Sequence, residues 1–415
     1  MTTDCSPTDC QLAGLRGAAL DRSYVSLGGR RTSSVHEFYR YPARFPPALA
    51  RTAIEAFTEP GDLVVDPFCG GGTTAVEAQL TGRVARVADL NSLATFVTTA
   101  KVTLYDDESL EVAGTFAGLV PEIRVLPMAQ LDGLGPWIAA GYLRNIGSPG
   151  TWRIRNLLAA AVVMVEQVDN PVARLMLRCA LLRTGQWALD MRRDIPTTDE
   201  FRAQLQQDLC AMVEVARSHR EAVESVWDEP VTPAVLTLGL PESASRLVQP
   251  GPVIPGLILT SPPYPRVYVN YHRWKVRGRM ESPAPYWLAN SMDGHGIAHY
   301  TMSARSNRSS LDLYFEKLRS AYSGVVSMMG ERTLLIQVVG FNDLATQFGR
   351  YLTVMSDLGL EEVKLDELAT DDDGRLWRSV PSRRWWVTAV EKAQIAPATG
   401  RETVLLHRLR SVGKR

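Results

Sequence analysis

Cysteine is scarce in this chain of 415 residues: Cys5, Cys10, Cys69, Cys179 and Cys210 are the five thiols. They are too few and too scattered for a disulfide framework, and no two have the close spacing of a zinc site. No metal is expected, and a reducing, cytoplasmic home is. An excess of charge of either sign is also missing. Lys plus Arg is 45 and Asp plus Glu is 45, so the balance neither marks nor excludes a polyanionic partner, and any basic surface has to be local. Long apolar runs are absent as well. Residues 157–165, LLAAAVVMV, come nearest, but Arg153, Arg155 and Glu166 bracket them. They fall well short of the roughly 20 residues of a membrane span and read as a buried helix, with no membrane association. The opening MTTDCSPTDC carries acids and polar groups where a signal peptide needs positive charge and then an apolar stretch.

What is present is ordinary globular composition, 45% apolar and 22% charged. The length allows two or three domains of about 150 residues, or one large domain with an insertion. Residues 1–34 are polar and glycine-rich and read as a loose arm. Pro46 and Pro47 open a helix that continues over 48–57, since proline has no amide hydrogen to lose in a first turn. Leu63, Val64 and Val65, ending on Asp66, read as a buried parallel strand. A glycine loop follows, then a helical pattern through Ala75, Val76, Ala78 and Leu80, a strand over 83–88 ending on Asp89, and a helix through Leu93, Phe96, Val97 and Lys101. Strand, glycine loop, helix, strand, helix over 35–105 is the pattern of a doubly wound, Rossmann-like α/β half. Over 106–233 strand alternation vanishes and apolar residues recur at helical spacing. This predicts a mostly helical insertion whose best segments are 152–168, 172–190 and 198–226. Strand patterns return at 234–239 and 257–260, then at 333–339, 361–365, 385–390 and 403–407. Helices at 311–329 and 344–358 lie between some of these, so the α/β unit resumes over 234–415.

The strongest local signal is DPFCGGGTT, residues 66–74, set directly between a strand and a helix. Glycines let the backbone turn sharply and approach a ligand closely, and the start of the next helix presents free amides. The segment fits neither the G-x-G-x-x-G of a dinucleotide loop nor the G-K-[ST] ending of a phosphate loop. Asp89 ends the next strand, where a carboxylate accepts from two ribose hydroxyls; alone it reads as a cap for the following helix, and its place one strand after the glycine loop favours cofactor binding. The second signal is TSPPY, residues 260–264, after the strand residues Leu257, Ile258 and Leu259. Two prolines stiffen the chain and remove two amide donors, leaving carbonyls that only accept. Ser261 adds a hydroxyl acceptor and Tyr264 a flat ring, a set that suits an exocyclic amino group on a planar base. Standing alone, it reads as a rigid proline turn.

Together, DPFCGGGTT and TSPPY resemble the amino-methylating DNA methyltransferases that use S-adenosylmethionine. Their cofactor loop reads D-P-F-x-G-x-G-T and their catalytic loop [DNS]-P-P-[YFW]. The serine form is most similar to the cytosine-N4 branch, although some adenine-N6 enzymes share it. HEFYRYPARFPP, residues 36–47, looks like the Y-P-A-[KR]-F segment that helps close the methionine end of the cofactor pocket in such enzymes. YVNYHRW (268–274) and VPSRRWW (380–386) also have the look of family segments. The resemblance covers roughly 35–105 and 235–410 and implies a Rossmann-like methyltransferase domain. It implies cofactor contacts from Tyr41, Phe45, Asp66, Pro67, Phe68, Gly70, Gly72, Thr73, Asp89, Leu90 and Asn91, and a catalytic loop of Ser261, Pro262, Pro263 and Tyr264. Tyr264 is expected to stack on a base flipped out of duplex DNA. Ser261 and the Pro262 carbonyl then accept from its amine, which attacks the sulfonium methyl directly.

Two departures from the family pattern stand out. Where relatives end the strand before the catalytic loop in Gly-Asp, Gly239 is followed by Leu240, which leaves Glu242 as the candidate for the cofactor's adenine. The helical insertion, moreover, lies between the second and third strands. Carbon-5 methylation is excluded, since it needs a cysteine nucleophile in a Pro-Cys loop and the chain has no Pro-Cys pair. Cys69 reads as a packed thiol.

Between residues 266 and 308, seven basic residues stand against two acids, interleaved with Tyr268, Tyr271, Trp274, Tyr286 and Trp287. Directly after the catalytic loop, such a stretch neutralises phosphates and supports an extruded base. Arg273, Lys275, Arg277 and Arg279 are the candidate DNA contacts. The run 375–415 carries ten basic residues against Glu391 and Glu402; a solvated charged face accounts for either run alone. The reading is a site-specific cytosine-N4 DNA methyltransferase of a restriction-modification system, with double-stranded DNA and a cognate restriction or defence-system protein as partners. An adenine-N6 DNA methyltransferase, a structured-RNA methyltransferase and a non-catalytic methyltransferase-like DNA-binding subunit are the alternatives left open.

Overall fold

The computed structural model describes residues 34–41, 44, 46–127, 133–227, 235–238, 253–265, 273–278, 280–292, 308–341, 343–364, 373–380 and 400–411. Pro47 opens α1 (Pro47–Phe57), and four buried residues form β1 (Leu63–Asp66). The glycine loop leads into α2 (Thr73–Leu80), followed by β2 (Val84–Asp89) and α3 (Ser92–Val102), whose first turn is capped by Asn91. Next come α4 (Asp107–Leu119), α5 (Leu134–Ala139), α6 (Trp152–Glu166), α7 (Pro171–Leu189) and α8 (Thr198–Glu224). Local chemistry sets their starts: Asn170 accepts from the amides of Val172 and Ala173 with Pro171 in the first turn, and Thr197 and Glu200 form a reciprocal capping box. The remaining elements are β3 (Val235–Leu238), β4 (Leu257–Thr260), β5 (Trp274–Val276), β6 (Met280–Ser282), α9 (Ala284–Leu288) and α10 (Arg308–Val326). They are followed by β7 (Leu334–Phe341), α11 (Leu344–Asp357), β8 (Leu360–Val363), β9 (Leu376–Val380) and β10 (Gly400–Leu409).

The main sheet runs β3-β2-β1-β4-β7-β10-β8, with β9 sharing the outer edge of β10. Strands β3, β2, β1, β4 and β7 are parallel, whereas β10 is antiparallel to β7, β8 and β9. This is the doubly wound, Rossmann-like α/β architecture expected from the sequence. It differs from the all-parallel 3-2-1-4-5-6 order of a dinucleotide domain in that its last strand inserts antiparallel between two predecessors. Strand order reverses between β1 and β4, and the crevice at the carboxyl ends of such a pair is where open α/β sheets bind ligands.

Helices α4 to α8 fall between β2 and β3 in the chain, and their apolar faces join the same buried cluster as α1, α2, α3 and one face of the sheet. Leu158, Leu182 and Leu209 are fully buried there, each worth about 1.5–3 kcal/mol of burial. The helical segment is thereby continuous with the core that supports the crevice. The short hairpin β5–β6, α9 and β9 carry too few residues for a periodic signal, and the sequence pattern does not predict them. The strand expected at 385–390 lies outside the described residues, as does the arm up to residue 33. Among the described residues, no helix is long and apolar enough to cross a membrane.

Candidate active site

Asp66 ends β1 and Thr260 ends β4, and the pairing of Val64 with Leu257 and Val65 with Ile258 sets these ends side by side. The Thr260 hydroxyl donates to Asp66 Oδ1 at 2.5 Å, the Thr74 hydroxyl donates to Oδ2 at 2.7 Å, and the Phe68 amide donates to Oδ1 at 3.1 Å. Asp66 is 1% exposed. Burial raises its carboxyl to about 6, against the opposing pull of these hydrogen bonds. Asp66 is expected from the sequence among the cofactor contacts; the structure makes it a joint between the glycine loop, α2 and the strand leading to Ser261.

The loop between β1 and α2 turns through Gly70 and Gly72, at φ +50° and +78°. A Cβ on Gly72 would lie 2.7 Å from the Thr98 side chain, and one on Gly71 2.8 Å from Tyr41 Cβ. Tyr41 and α3 thus close on the loop from two directions, and a larger residue displaces one of them. Pro67 is buried within the loop, and Phe68 is half-buried with its ring centroid 6.2 Å from that of Tyr322. At the end of β2, Asp89 accepts from the Gly70 amide at 2.9 Å and the Asn91 amide at 2.8 Å; burial raises its carboxyl to about 6. Leu90 beside it is exposed. Asn91 is a knot: its Nδ2 donates to the Tyr41 hydroxyl at 3.1 Å, and its Oδ1 accepts from the Tyr286 hydroxyl at 2.8 Å. Thr73 Oγ1 is buried with no hydrogen-bond partner among the described residues. Cys69 is a buried thiol 3.9 Å from Thr98 Oγ1, and burial pushes it well above the usual thiol range. Phe45 and Glu242 lie outside the described residues.

Lys101 escapes the sequence reasoning. Its ammonium is fully buried and donates to Gly71 O at 2.8 Å; burial, with Arg44 nearby, lowers it to about 7. The available signal is that Thr98 and Lys101 stand three apart on one face of the helix after β2.

On the other side of the crevice, Ser261 Oγ donates to Val338 O at 2.9 Å and lies 3.4 Å from the Tyr264 hydroxyl. A hydroxyl has one proton, so with that proton on a backbone carbonyl Ser261 offers lone pairs. The Tyr314 hydroxyl donates to Pro263 O at 2.8 Å. The Tyr264 hydroxyl donates to Glu402 Oε1 at 3.0 Å, and its ring packs on Gly340. Tyr264 is only 9% exposed, a tucked ring rather than a freely open one. Glu402 also escapes the sequence reasoning, which begins that strand one residue later.

The segment after the catalytic loop is corrected most. Arg273 is expected from the sequence on the DNA-facing surface; its side chain is 2% exposed and pairs with Glu281 at 3.2 Å. Trp274, Tyr286 and Trp287, expected beside an extruded base, are core residues, with Trp274 Nε1 donating to the Tyr39 hydroxyl at 3.3 Å. The reason is that β5 docks on the end of α7: the Lys275 amide donates to Asp190, and the Met191 amide donates to Lys275 O. Lys275 is half-buried and Arg277 is exposed, its guanidinium donating to Pro149 O. Arg279 lies outside the described residues. In the C-terminal run, Arg375 pairs with Glu362 and Asp373, and Arg408 with Glu361, so these cations serve the fold.

Residues 22–95 match the profile of a family described as DNA methylase, of the N6/N4 methyltransferase type. Over 63 residues the chain is 36% identical to the type II methyltransferase M.BsoBI of Geobacillus stearothermophilus. Over 81 residues it is 30% identical to the type II methyltransferase M.MjaII of Methanocaldococcus jannaschii. These alignments take in 15% and 20% of this chain, and the chain covers only 12% and 15% of the relatives' own lengths. Among solved structures it is similar to the rRNA methyltransferase aviRa from Streptomyces viridochromogenes, at 10% identity over 94% of this chain and 93% of that one. The TM-score is 0.35, a likeness too loose to carry an argument.

Proposed function

We propose that the chain is an N6/N4 amino-methylating DNA methylase, a reading that the match over residues 22–95 and the type II relatives support, and that it methylates the exocyclic N4 amine of a cytosine flipped out of duplex DNA. The observation that supports this most is the Asp66–Thr260 hydrogen bond at the switch point of the sheet. It couples a glycine loop suited to a nucleoside cofactor with a loop whose acceptors suit an amine.

The residues present fit S-adenosylmethionine. Gly70 and Gly72 leave the loop backbone open to close approach, and Thr73 holds a buried hydroxyl without a partner among the described residues. Asp89 presents a carboxyl oriented by two backbone amides where a ribose diol is expected, beside the apolar surface of Leu90. Bound there, S-adenosylmethionine supplies the electrophilic methyl group.

The chain's own part is positioning and electrostatics, with no covalent enzyme intermediate. The Val338 carbonyl holds the Ser261 proton, so Ser261 Oγ accepts from the amine. Because Tyr314 occupies Pro263 O, the Pro262 carbonyl is the second acceptor we assign to the amine. Both draw the amine lone pair out of conjugation with the ring, and its proton leaves afterwards to water. Tyr264 supports the base by stacking, and Lys275 and Arg277 meet phosphates. In this reading residues 35–105 and 234–415 form the catalytic unit, the helices over 106–233 buttress it, and a restriction or defence protein is its partner. Transfer of a labelled methyl group to duplex DNA but not to structured RNA supports the reading; labelling of RNA alone, or of neither, overturns it.

A further inference from the structure

Strand β10 meets β7 antiparallel, with Glu402 opposite Gly340 and Val404 opposite Val338. This pair of strands grips the catalytic loop at three points. Val338 O takes the Ser261 hydroxyl at 2.9 Å. Gly340 leaves the space that the Tyr264 ring fills: a Cβ there would lie 2.7 Å from Cε2 and 2.9 Å from Cδ2 of that ring. Glu402, 1% exposed, accepts from the Tyr264 hydroxyl at 3.0 Å. A phenol anchored at its Cα and tied at its hydroxyl cannot swing about χ1 without breaking a hydrogen bond in a buried site, which is costly. The glycine decides how deep the ring sits, and the carboxyl decides its angle.

We infer that Glu402 is the positioning residue for Tyr264, fixing the plane of the ring on which the flipped base stacks. The inference rests on the reading of Tyr264 as the base-stacking residue. Glu402 touches neither base nor cofactor in this account, and its effect on the base runs through the phenol. That makes its effect conditional on the Tyr264 hydroxyl, which a general structural role is not.

The test compares wild type, Glu402→Gln, Glu402→Leu, Tyr264→Phe and the Glu402→Leu/Tyr264→Phe double variant, with cofactor affinity by calorimetry as the control for a folded site. Glu402→Leu is expected to lower kcat at saturating duplex DNA about tenfold, comparable to losing one stacking contact. The KM for S-adenosylmethionine is expected to stay unchanged. Glu402→Gln, which keeps an acceptor oxygen, restores most of the rate, and Glu402→Leu adds no further loss in the Tyr264→Phe background. Independently of activity, 3-fluorotyrosine placed at position 264 alone is expected to give a narrow fluorine resonance in wild type and in Glu402→Gln, and a broadened, shifted one in Glu402→Leu. An equal loss in both tyrosine backgrounds, or a fluorine resonance indifferent to Glu402, overturns the inference. If Glu402→Leu does not fold, Glu402→Ala takes its place in both readouts. A wild-type chain that methylates no DNA overturns the functional reading instead, and the fluorine spectra still decide whether Glu402 holds the ring.

Discussion

The hydroxyl of Thr260 and the carboxyl of Asp66 meet at 2.5 Å across the boundary between β4 and β1, the place in the sheet where strand order reverses. Two loops separated by nearly two hundred residues of chain are thereby held as one site. Replacing Asp66 with Ala leaves the Thr74 and Thr260 hydroxyls and the Phe68 amide without this acceptor in a buried setting. The Thr74 hydroxyl keeps Leu259 O at 3.2 Å as an alternative acceptor, so the expected cost is about 2 kcal/mol or more, at roughly 1–3 kcal/mol for each of the two other groups. Thr260→Val removes a single bond to Asp66 and is expected to cost about 1.5–3 kcal/mol. Urea midpoints measure both; an Asp66→Ala protein as stable as wild type would contradict the clamp.

Asp89 is expected to make cofactor binding depend on pH. Burial raises its carboxyl from 3.8 to about 6, so in the free protein it is mostly protonated at pH 5 and mostly ionised at pH 7. Ribose hydroxyls donate to the ionised form. Affinity for S-adenosylmethionine is therefore expected to rise about tenfold from pH 5 to pH 7. Asp89→Ala is expected to flatten that rise and to weaken binding by about 1–3 kcal/mol at pH 7. Calorimetry across this range decides; an affinity flat with pH and indifferent to the substitution removes Asp89 from the ribose.

Lys101 is expected to make stability, rather than cofactor binding, rise with pH. Its ammonium is lowered from 10.5 to about 7 by burial, so between those values the unfolded chain binds more protons than the folded one, and stability rises with pH. The contribution is full above about 10.5 and is lost as pH falls through about 7. Lys101→Met removes this slope, so the urea midpoint of wild type is expected to rise relative to that of the variant on going from pH 7 to pH 9.5. A constant difference over that window shows that Lys101 does not titrate there.

The paired and the exposed arginines of the β5–β6 hairpin give opposite expectations. Arg277→Ala is expected to reduce the salt dependence of duplex binding by about 0.9 log unit, one phosphate contact, and to leave folding intact. Arg273→Ala is expected to leave the salt slope unchanged and to destabilise the fold, because it strips Glu281 of a buried partner. Duplex affinity at several salt concentrations, read beside thermal melts, separates them. A reduced slope for Arg273 with normal stability reverses the assignment.

What is legible in the sequence follows the range over which each feature is encoded. Asp66, the glycines and Thr73 are contiguous, as are Ser261 to Tyr264, so both loops stand out as local motifs, and the two taken together give the second a meaning beyond a proline turn. The long helices at 152–166, 171–189 and 198–224 carry enough turns for periodicity and caps to place them within a few residues. Glu402 is not legible, because it lies 138 residues along the chain from Tyr264 and meets it only through the register of β10 against β7. Arg273 and its neighbouring aromatics mislead for a related reason. Charge and ring content say what a segment is made of, whereas its burial is set by β5 docking on the end of α7 through Asp190 and Met191.

The central claim is that the two loops joined by Asp66 and Thr260 methylate an exocyclic amine of a DNA base. It is tested most directly by incubating the purified chain with S-adenosylmethionine carrying a labelled methyl group and duplex DNA, digesting the DNA, and identifying the labelled nucleoside by mass spectrometry. The account predicts N4-methyldeoxycytidine, abolished by Ser261→Ala. Labelled N6-methyldeoxyadenosine would contradict the cytosine assignment, and labelled 5-methyldeoxycytidine or no labelled nucleoside at all would contradict the account itself.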